Sequence, residues 1–363
     1  MQDLVETALK QGNYQIAADL LQKWKRKDPQ DPWLLLAIGH YQEATGKWEG
    51  AERTYLRLLQ KAALPKLMSQ ARQGIQRVQS HLVQAREAAL EAARLGPDSE
   101  APAILCLEPV TGEAARTAAA QGLAKTLQID PYTARLQLPS KGWRLHRVGA
   151  LGELRFLGES LCAVQTPAFW VNQADIRKVQ TFQVNYFRSV EAAGTVVCKN
   201  ETGQLGEITF DWSEVSQVVM GSLPLFESVL DRDPWGKLQR KEKTQDYAEL
   251  VDLHLHSRNC LLRLCDRTYQ FKHGNILPDA APKHDSGPAT RLQWNALSAH
   301  IRSRVAGPAQ SGFASFGEGA LEFIDLMSFF EPHVPLVRPK ETPWDAAFHL
   351  YSSLHFLRYE SPH

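Results

Sequence analysis

The sequence predicts a multidomain protein with three textures: helical hairpins at the N-terminus, a small α/β segment, and a mainly antiparallel β region followed by C-terminal helices. Three observations carry this reading. The first 65 residues repeat at a period of 34; apolar spacing switches to strict alternation from about Val179; and a Pro-, Gly- and Asp-containing linker composition at residues 278–290 separates the alternating region from renewed helical spacing. At 363 residues the chain exceeds one ordinary core, so two or three domains are expected.

The repeat comes first. Gly12-Asn13-Tyr14 recurs as Gly46-Lys47-Trp48, Ala17 recurs as Ala51, and Leu21 recurs as the aromatic Tyr55, every pair 34 residues apart. That period suits a helix–turn–helix unit with a small residue at the turn, an aromatic after it and alanine where two helices cross closely. On these residues the segment resembles the tetratricopeptide repeat family. Gly12, Tyr14, Ala17, Leu21 and Pro29 match one motif, and Gly39, Gly46, Trp48, Ala51 and Tyr55 match the next. Leu35, Gln42 and Ala63 depart from it, standing where the family usually has Trp, Tyr and Pro.

The resemblance covers residues 1–65, short of the three repeats such arrays usually need. Support is expected from the next helix. From Leu67 the apolar positions Ala71, Ile75, Val78, Leu82, Ala85 and Ala89 advance by threes and fours to about Leu95, where Gly96-Pro97 stops them. The outward face carries Gln73, Gln76, Arg77, Ser80, Gln84 and Glu87. Residues 1–96 then read as a repeat array with a capping helix. What the resemblance implies for function is a groove lined by the first helix of each unit, holding a peptide or helix of another protein. Here that helix runs from Trp33 to Ala44, with Trp33, His40 and Glu43 as groove candidates. The alternative is an array that serves only as structure, packed on its own downstream domains.

Residues 101–175 read as a compact βααβαβ sandwich. Ala103–Val110 is an apolar run suited to a buried strand; Thr111 is a helix cap before Ala115, Ala118, Ala119, Leu123 and Leu127; Asp130-Pro131 starts a short second helix. Trp143–Val148 suits a strand, Leu151, Leu154, Leu157 and Leu161 line a helix, and Pro167–Val171 closes the set. By topology alone the segment is similar to the C-terminal domain of the ribosomal stalk protein, a likeness that implies nothing about function. Parts of the chain after the repeats also resemble tetratricopeptide proteins of unassigned function from photosynthetic bacteria.

Residues 176–277 read as antiparallel strands. Gly194–Lys199 and Glu207–Phe210 flank the turn Asn200-Glu201-Thr202-Gly203, and Asp211-Trp212-Ser213-Glu214 is a capping box leading into a helix with Val215, Val218 and Val219. Further strands are expected at Tyr247–His256, Cys260–Cys265 and Tyr269–Lys272, with Asp231–Gln245 as a solvated hairpin loop whose Lys237, Arg240, Lys241 and Lys243 are diluted by acids. Within residues 291–363, Leu292, Trp294, Leu297 and Ile301 mark one helix and Leu321, Ile324, Leu326 and Met327 another. The aromatic tail Trp344–Leu357 is expected to dock on a core.

Composition narrows the chemistry. The 41 basic and 40 acidic residues nearly cancel, which argues against a general nucleic-acid binder. No apolar run reaches membrane-spanning length, and the start of the chain lacks the pattern of a secretory signal, so a cytoplasmic location and no integral membrane segment are expected. Five scattered cysteines fit buried, reduced thiols without zinc-ligand spacing. The sharpest catalytic candidate is Asp252-Leu-His254-Leu-His256, whose three polar side chains share one strand face and would suit a metal-dependent hydrolase; the bland reading is a half-buried strand. Gly307-Pro-Ala-Gln-Ser-Gly312 has phosphate-loop glycine spacing, but Phe313 and Ala314 replace the required Lys and Ser/Thr. The leading expectation is a non-enzymatic adaptor with a protein or peptide partner at the repeat groove and no cofactor. The runner-up is a regulatory module binding a small ligand or lipid headgroup in the β-rich region.

Overall fold

The computed structural model describes residues 1–61, 64–232, 238–274, 290–334, 336, 338 and 342–360. Ala63, Lys237 and the linker expected at 278–290, except Thr290, lie outside these residues. The chain divides into two compact units, Met1–Leu95 and Gly96–His363.

The first unit is five helices: α1 (Gln2–Lys10), α2 (Tyr14–Lys27), α3 (Pro32–Ala44), α4 (Trp48–Lys61) and α5 (Pro65–Arg94). The period seen in the sequence has a backbone cause. Gly12 and Gly46 end α1 and α3 in the left-handed region, at φ of +72° and +73°, where a side chain is disfavoured. Beside them the amides of Asn13 and Lys47 donate to the carbonyls of Ala8 and Gln42 at 2.9 and 2.8 Å, so both hairpins turn alike. Asp31 caps α3 by accepting from the Trp33 amide at 2.9 Å, while its other oxygen accepts from the Trp24 indole at 3.0 Å. Ala17 and Ala51 are fully buried where the helices cross. Tyr55 of α4 fills the space between α3 and α5: a Cβ on Gly39 would meet its ring at 2.3 Å and one on Gly74 at 2.6 Å.

The second unit mixes helices with two sheets. β1 (Pro102–Leu107), β2 (Arg144–Ala150) and β3 (Ala168–Asn172) form a small antiparallel sheet in the order β2-β1-β3, with α6 (Glu113–Leu127), α7 (Pro131–Gln137) and α8 (Leu151–Ala163) between its strands. Both faces of β1 are buried, Ala103, Leu105 and Leu107 towards α6 and α8, Ile104 and Cys106 towards the larger core. That explains an apolar run without alternation. Gly112, at φ +86°, stands at the N-cap of α6 in place of Thr111. Asp130 does cap α7, accepting from the Thr133 amide at 2.9 Å.

After the short α9 (Gln173–Ile176) come β4 (Gln180–Ser189), β5 (Ala193–Lys199), β6 (Leu205–Asp211), β7 (Gln217–Arg232), β8 (Leu238–Leu255) and β9 (Cys260–Cys265), then α10 (Thr290–Arg304), β10 (Ala309–Gln310), α11 (Phe313–Ala320), α12 (Ile324–Met327) and α13 (Pro343–Glu360). The large sheet has the order β10-β7-β8-β9-β4-β5-β6 and is mixed, since β9 runs parallel to β4 and β10 parallel to β7. One face packs on α10 through Trp294, Leu297 and Ile301. Against the other lies α13, whose Phe348, Leu350, Tyr351 and Leu354 share a core with β1, β2, β3, β7, β8 and α11. The small sheet, large sheet and C-terminal helices are therefore joined by one apolar cluster.

Three local expectations are corrected. The loop expected at Asp231–Gln245 is largely strand, since β7 continues to Arg232 and β8 begins at Leu238, the two paired there despite the polar sequence. The capping box at Asp211 forms, with Glu214 accepting from the Asp211 amide and Asp211 from the Ser213 amide, both at 2.8 Å, but it closes only a single 3-10 turn, Trp212–Glu214. Val218 and Val219 are buried on opposite faces of the large sheet, which a strand permits and one side of a helix does not. Tyr269–Lys272 is a turn, not a strand. Its Tyr269 amide donates to the Cys265 carbonyl at 2.9 Å, and the Phe187 amide donates to the buried Tyr269 hydroxyl at 2.9 Å.

Candidate functional site

The groove candidates in the first unit turn out unequal. Trp33 is half-buried and packs between two apolar clusters, one with Leu36, Tyr55 and Leu67 and one with Val5, Leu21 and Leu34. It is structural. His40 lies edge-on to Tyr55 with ring centroids 6.1 Å apart, and burial lowers its pKa against the opposing pull of Glu43. Glu43 accepts from the Tyr55 hydroxyl and takes both Nε and Nη2 of Arg77, at 3.0 and 2.8 Å. Those bonds hold the Arg77 guanidinium charged, and burial, reinforced by Glu43, pushes the Tyr55 hydroxyl pKa up.

Arg77 stands 34 residues after Glu43, so α5 presents to α3 the next step of the same ladder. The result is a fixed guanidinium whose side chain stays 51% exposed while Glu43 is 14% exposed. Arg77 opens onto a hollow of about 500 Å³ along α5, lined also by Gln73, Gln76, Ser80, His81 and Gln84. His81 is held in place by stacking on Trp48 at 3.8 Å. Amides, a hydroxyl, an imidazole and a guanidinium on successive turns suit hydrogen bonding to a peptide backbone and to a carboxylate. The polar stripe on this helix was readable from its spacing; that Glu43 of the candidate groove fixes the exposed Arg77 guanidinium was not.

Asp252, His254 and His256 do lie together, and each is committed within the protein. Asp252 on β8 forms a two-pronged pair with Arg263 on β9, Nε to Oδ1 at 2.9 Å and Nη2 to Oδ2 at 2.7 Å, both side chains being fully buried. The guanidinium also donates to the Pro332 carbonyl at 2.7 Å and lies 4.9 Å from the Phe348 ring centroid. His254 Nδ1 accepts from Gln217 at 3.1 Å, so its Nε2 carries the proton and donates to Ser352 of α13 at 2.9 Å. Burial holds its pKa well below the usual histidine value. His256 bonds Ser216 through Nδ1, donates from Nε2 to the Phe356 carbonyl at 2.8 Å and stacks on Phe356. Among the described residues no group of three or more His, Cys, Asp or Glu is placed to hold a metal ion. These side chains fasten the sheet to α13.

Gly307 has a structural reason as well: a Cβ there would meet the Ser216 carbonyl oxygen at 1.8 Å. The loop brings β10 against β7.

A second accessible region went unseen in the sequence. Beside β7 and α10 lies a hollow of about 580 Å³ where Glu249 accepts from the Trp294 indole at 2.7 Å and is paired with Arg291. Burial raises the pKa of neighbouring Asp266, which accepts from the Glu249 amide at 2.9 Å. A smaller hollow of about 300 Å³ shares Ser222 and Glu249 with it and continues along the edge of β7. Residues from β7, β8, α10 and α11 meet here with no common motif, so no spacing signal exists to find.

No family model, no curated protein and no solved structure matches this chain. Among the described residues no helix is long and apolar enough to cross a membrane.

Proposed function

We propose that the chain is a non-enzymatic adaptor of the tetratricopeptide type, holding an acidic peptide segment of another protein on the α3–α5 face of its first unit. The observation that supports this is the Tyr55–Glu43–Arg77 ladder. It uses a buried tyrosine and a partly buried carboxylate to fix a half-exposed guanidinium beside a row of amide and hydroxyl side chains. A pre-oriented cation loses little freedom when a carboxylate arrives. Ser80 and Gln84 are exposed and line the same hollow, so the double variant Ser80→Glu/Gln84→Glu sets two carboxylates against an incoming acidic segment without touching the ladder. Affinity capture with the whole chain is expected to retain a specific protein that this variant loses at least about tenfold, a difference of about 1.4 kcal/mol. Equal retention by both chains would refute the reading.

A further inference from the structure

The large sheet has an unfinished edge. β10 covers β7 only at Val218 and Val219 among the described residues, and the Val218 amide donates to the Pro308 carbonyl at 3.1 Å. Backbone direction alternates along a strand, so Met220 and Ser222 turn their amide and carbonyl groups the same way as Val218. Past Gln310 the covering chain leaves the sheet and enters α11 at Phe313. Next in the outward series is Pro224, which has no N–H to offer and is tolerated in sheets at such edges. The open stretch is thus short, Met220 to Ser222.

In front of it lies the 300 Å³ hollow, walled by Asn295, Ser298 and Arg302 of α10 and by Ser311. The three α10 residues fall on one helix face, beside the one that buries Trp294, Leu297 and Ile301. Among the described residues the Arg302 guanidinium meets only the Ser298 carbonyl, at 3.3 Å. The acid among the described lining residues of the hollow, Glu249, already serves Arg291 and Trp294. Among the described residues, backbone groups without a strand partner therefore face a polar helix stripe whose guanidinium meets no carboxylate.

We propose that Met220–Ser222 and the α10 stripe form a strand-addition site for an extended segment of a partner protein bearing an acidic side chain opposite Arg302. The added strand continues the pairing that β10 begins, its backbone bonding to β7 and its carboxylate to the guanidinium. This goes beyond the adaptor reading and stands whether or not the first unit binds anything.

The probe is a blocked, fluorescent eight-residue peptide of alternating threonine and glutamate, followed by polarisation with the full chain. Binding is expected to weaken at least tenfold for Arg302→Glu, an exposed position whose folding is checked by circular dichroism. A threonine–lysine peptide should prefer that variant to the wild type. N-methylating every second residue should abolish binding in one of the two possible phases only, because one edge of the added strand faces β7. Ser80→Glu/Gln84→Glu, which alters only the first unit, should bind like the wild type. No binding to the wild type, equal binding to Arg302→Glu, tolerance of N-methylation in both phases, or loss in the first-unit variant would each overturn the proposal.

Discussion

Tyr55 shows how much one side chain decides in the helical unit. Its ring fits only because Gly39 and Gly74 have no Cβ, and its hydroxyl ends on the Glu43 carboxylate. Gly39→Ala should therefore cost about 1–3 kcal/mol by overpacking, read from the urea midpoint. Tyr55→Phe, which keeps the ring and removes the bond, should cost about 1–2 kcal/mol and loosen Arg77 as well. The fully buried Asp252–Arg263 pair makes the opposite point. Asp252→Ala strands a guanidinium in the core and should cost about 3–5 kcal/mol, whereas Asp252→Leu combined with Arg263→Met should cost much less, since both charges leave together. A double variant as damaging as the single one would show that the pair stabilises in its own right.

At the scale of elements, α13 is the central piece. Its sequence reads as an aromatic tail docking on a core, and it does so as a helix buried on most sides, with Phe348, Tyr351 and Phe356 inside. The aromatic content was legible. Its depth was not, because Asp345, His349, Ser352, Ser353 and His355 look like a solvated face until their burial among sheet residues is seen. The helical hairpins were the most readable elements, since Gly12 and Gly46 are local necessities of turn geometry. So was the β5–β6 hairpin, whose turn is closed by Gly203 donating to the Asn200 carbonyl at 2.9 Å. Reading failed where a decision depends on distant residues. Val218 and Val219 become a strand only because α10 and α13 lie on either side. Likewise the α10 stripe makes a wall only because β7 ends its pairing there. His349 offers a test at this scale: its Nδ1 has no hydrogen-bond partner among the described residues, so His349→Leu should be neutral or stabilising at pH 7.5, measured by thermal melting.

For the molecule as a whole, the buried imidazoles set a pH dependence. Burial holds His254 and His349 well below their ordinary value and takes His355 down to about 3. The unfolded chain binds protons at these sites below about pH 6.5 while the folded chain does not, so stability is full above that value and falls as pH drops. The slope approaches about 1.4 kcal/mol per pH unit for each such group. Calorimetry at pH 7.5 and 5.5 should show the transition of residues 96–363 moving down, and His349→Leu should flatten the change; an unmoved transition would mean the rings titrate normally. Finally, β7 and β8 extend well beyond their neighbours: among the described residues β9 pairs with β8 only from Leu250 to Leu255, and β10 with β7 only at two residues. From Phe226 and Thr244 outward the described residues of the hairpin form a ribbon of two strands, a form that contributes little stability of its own. It is thus a detachable part of the architecture. Replacing residues 226–245 by Asn-Gly should leave the melting temperature within a few degrees, and a surface so dispensable to folding is free to be lengthened, shortened or redecorated without disturbing the sheet that carries it.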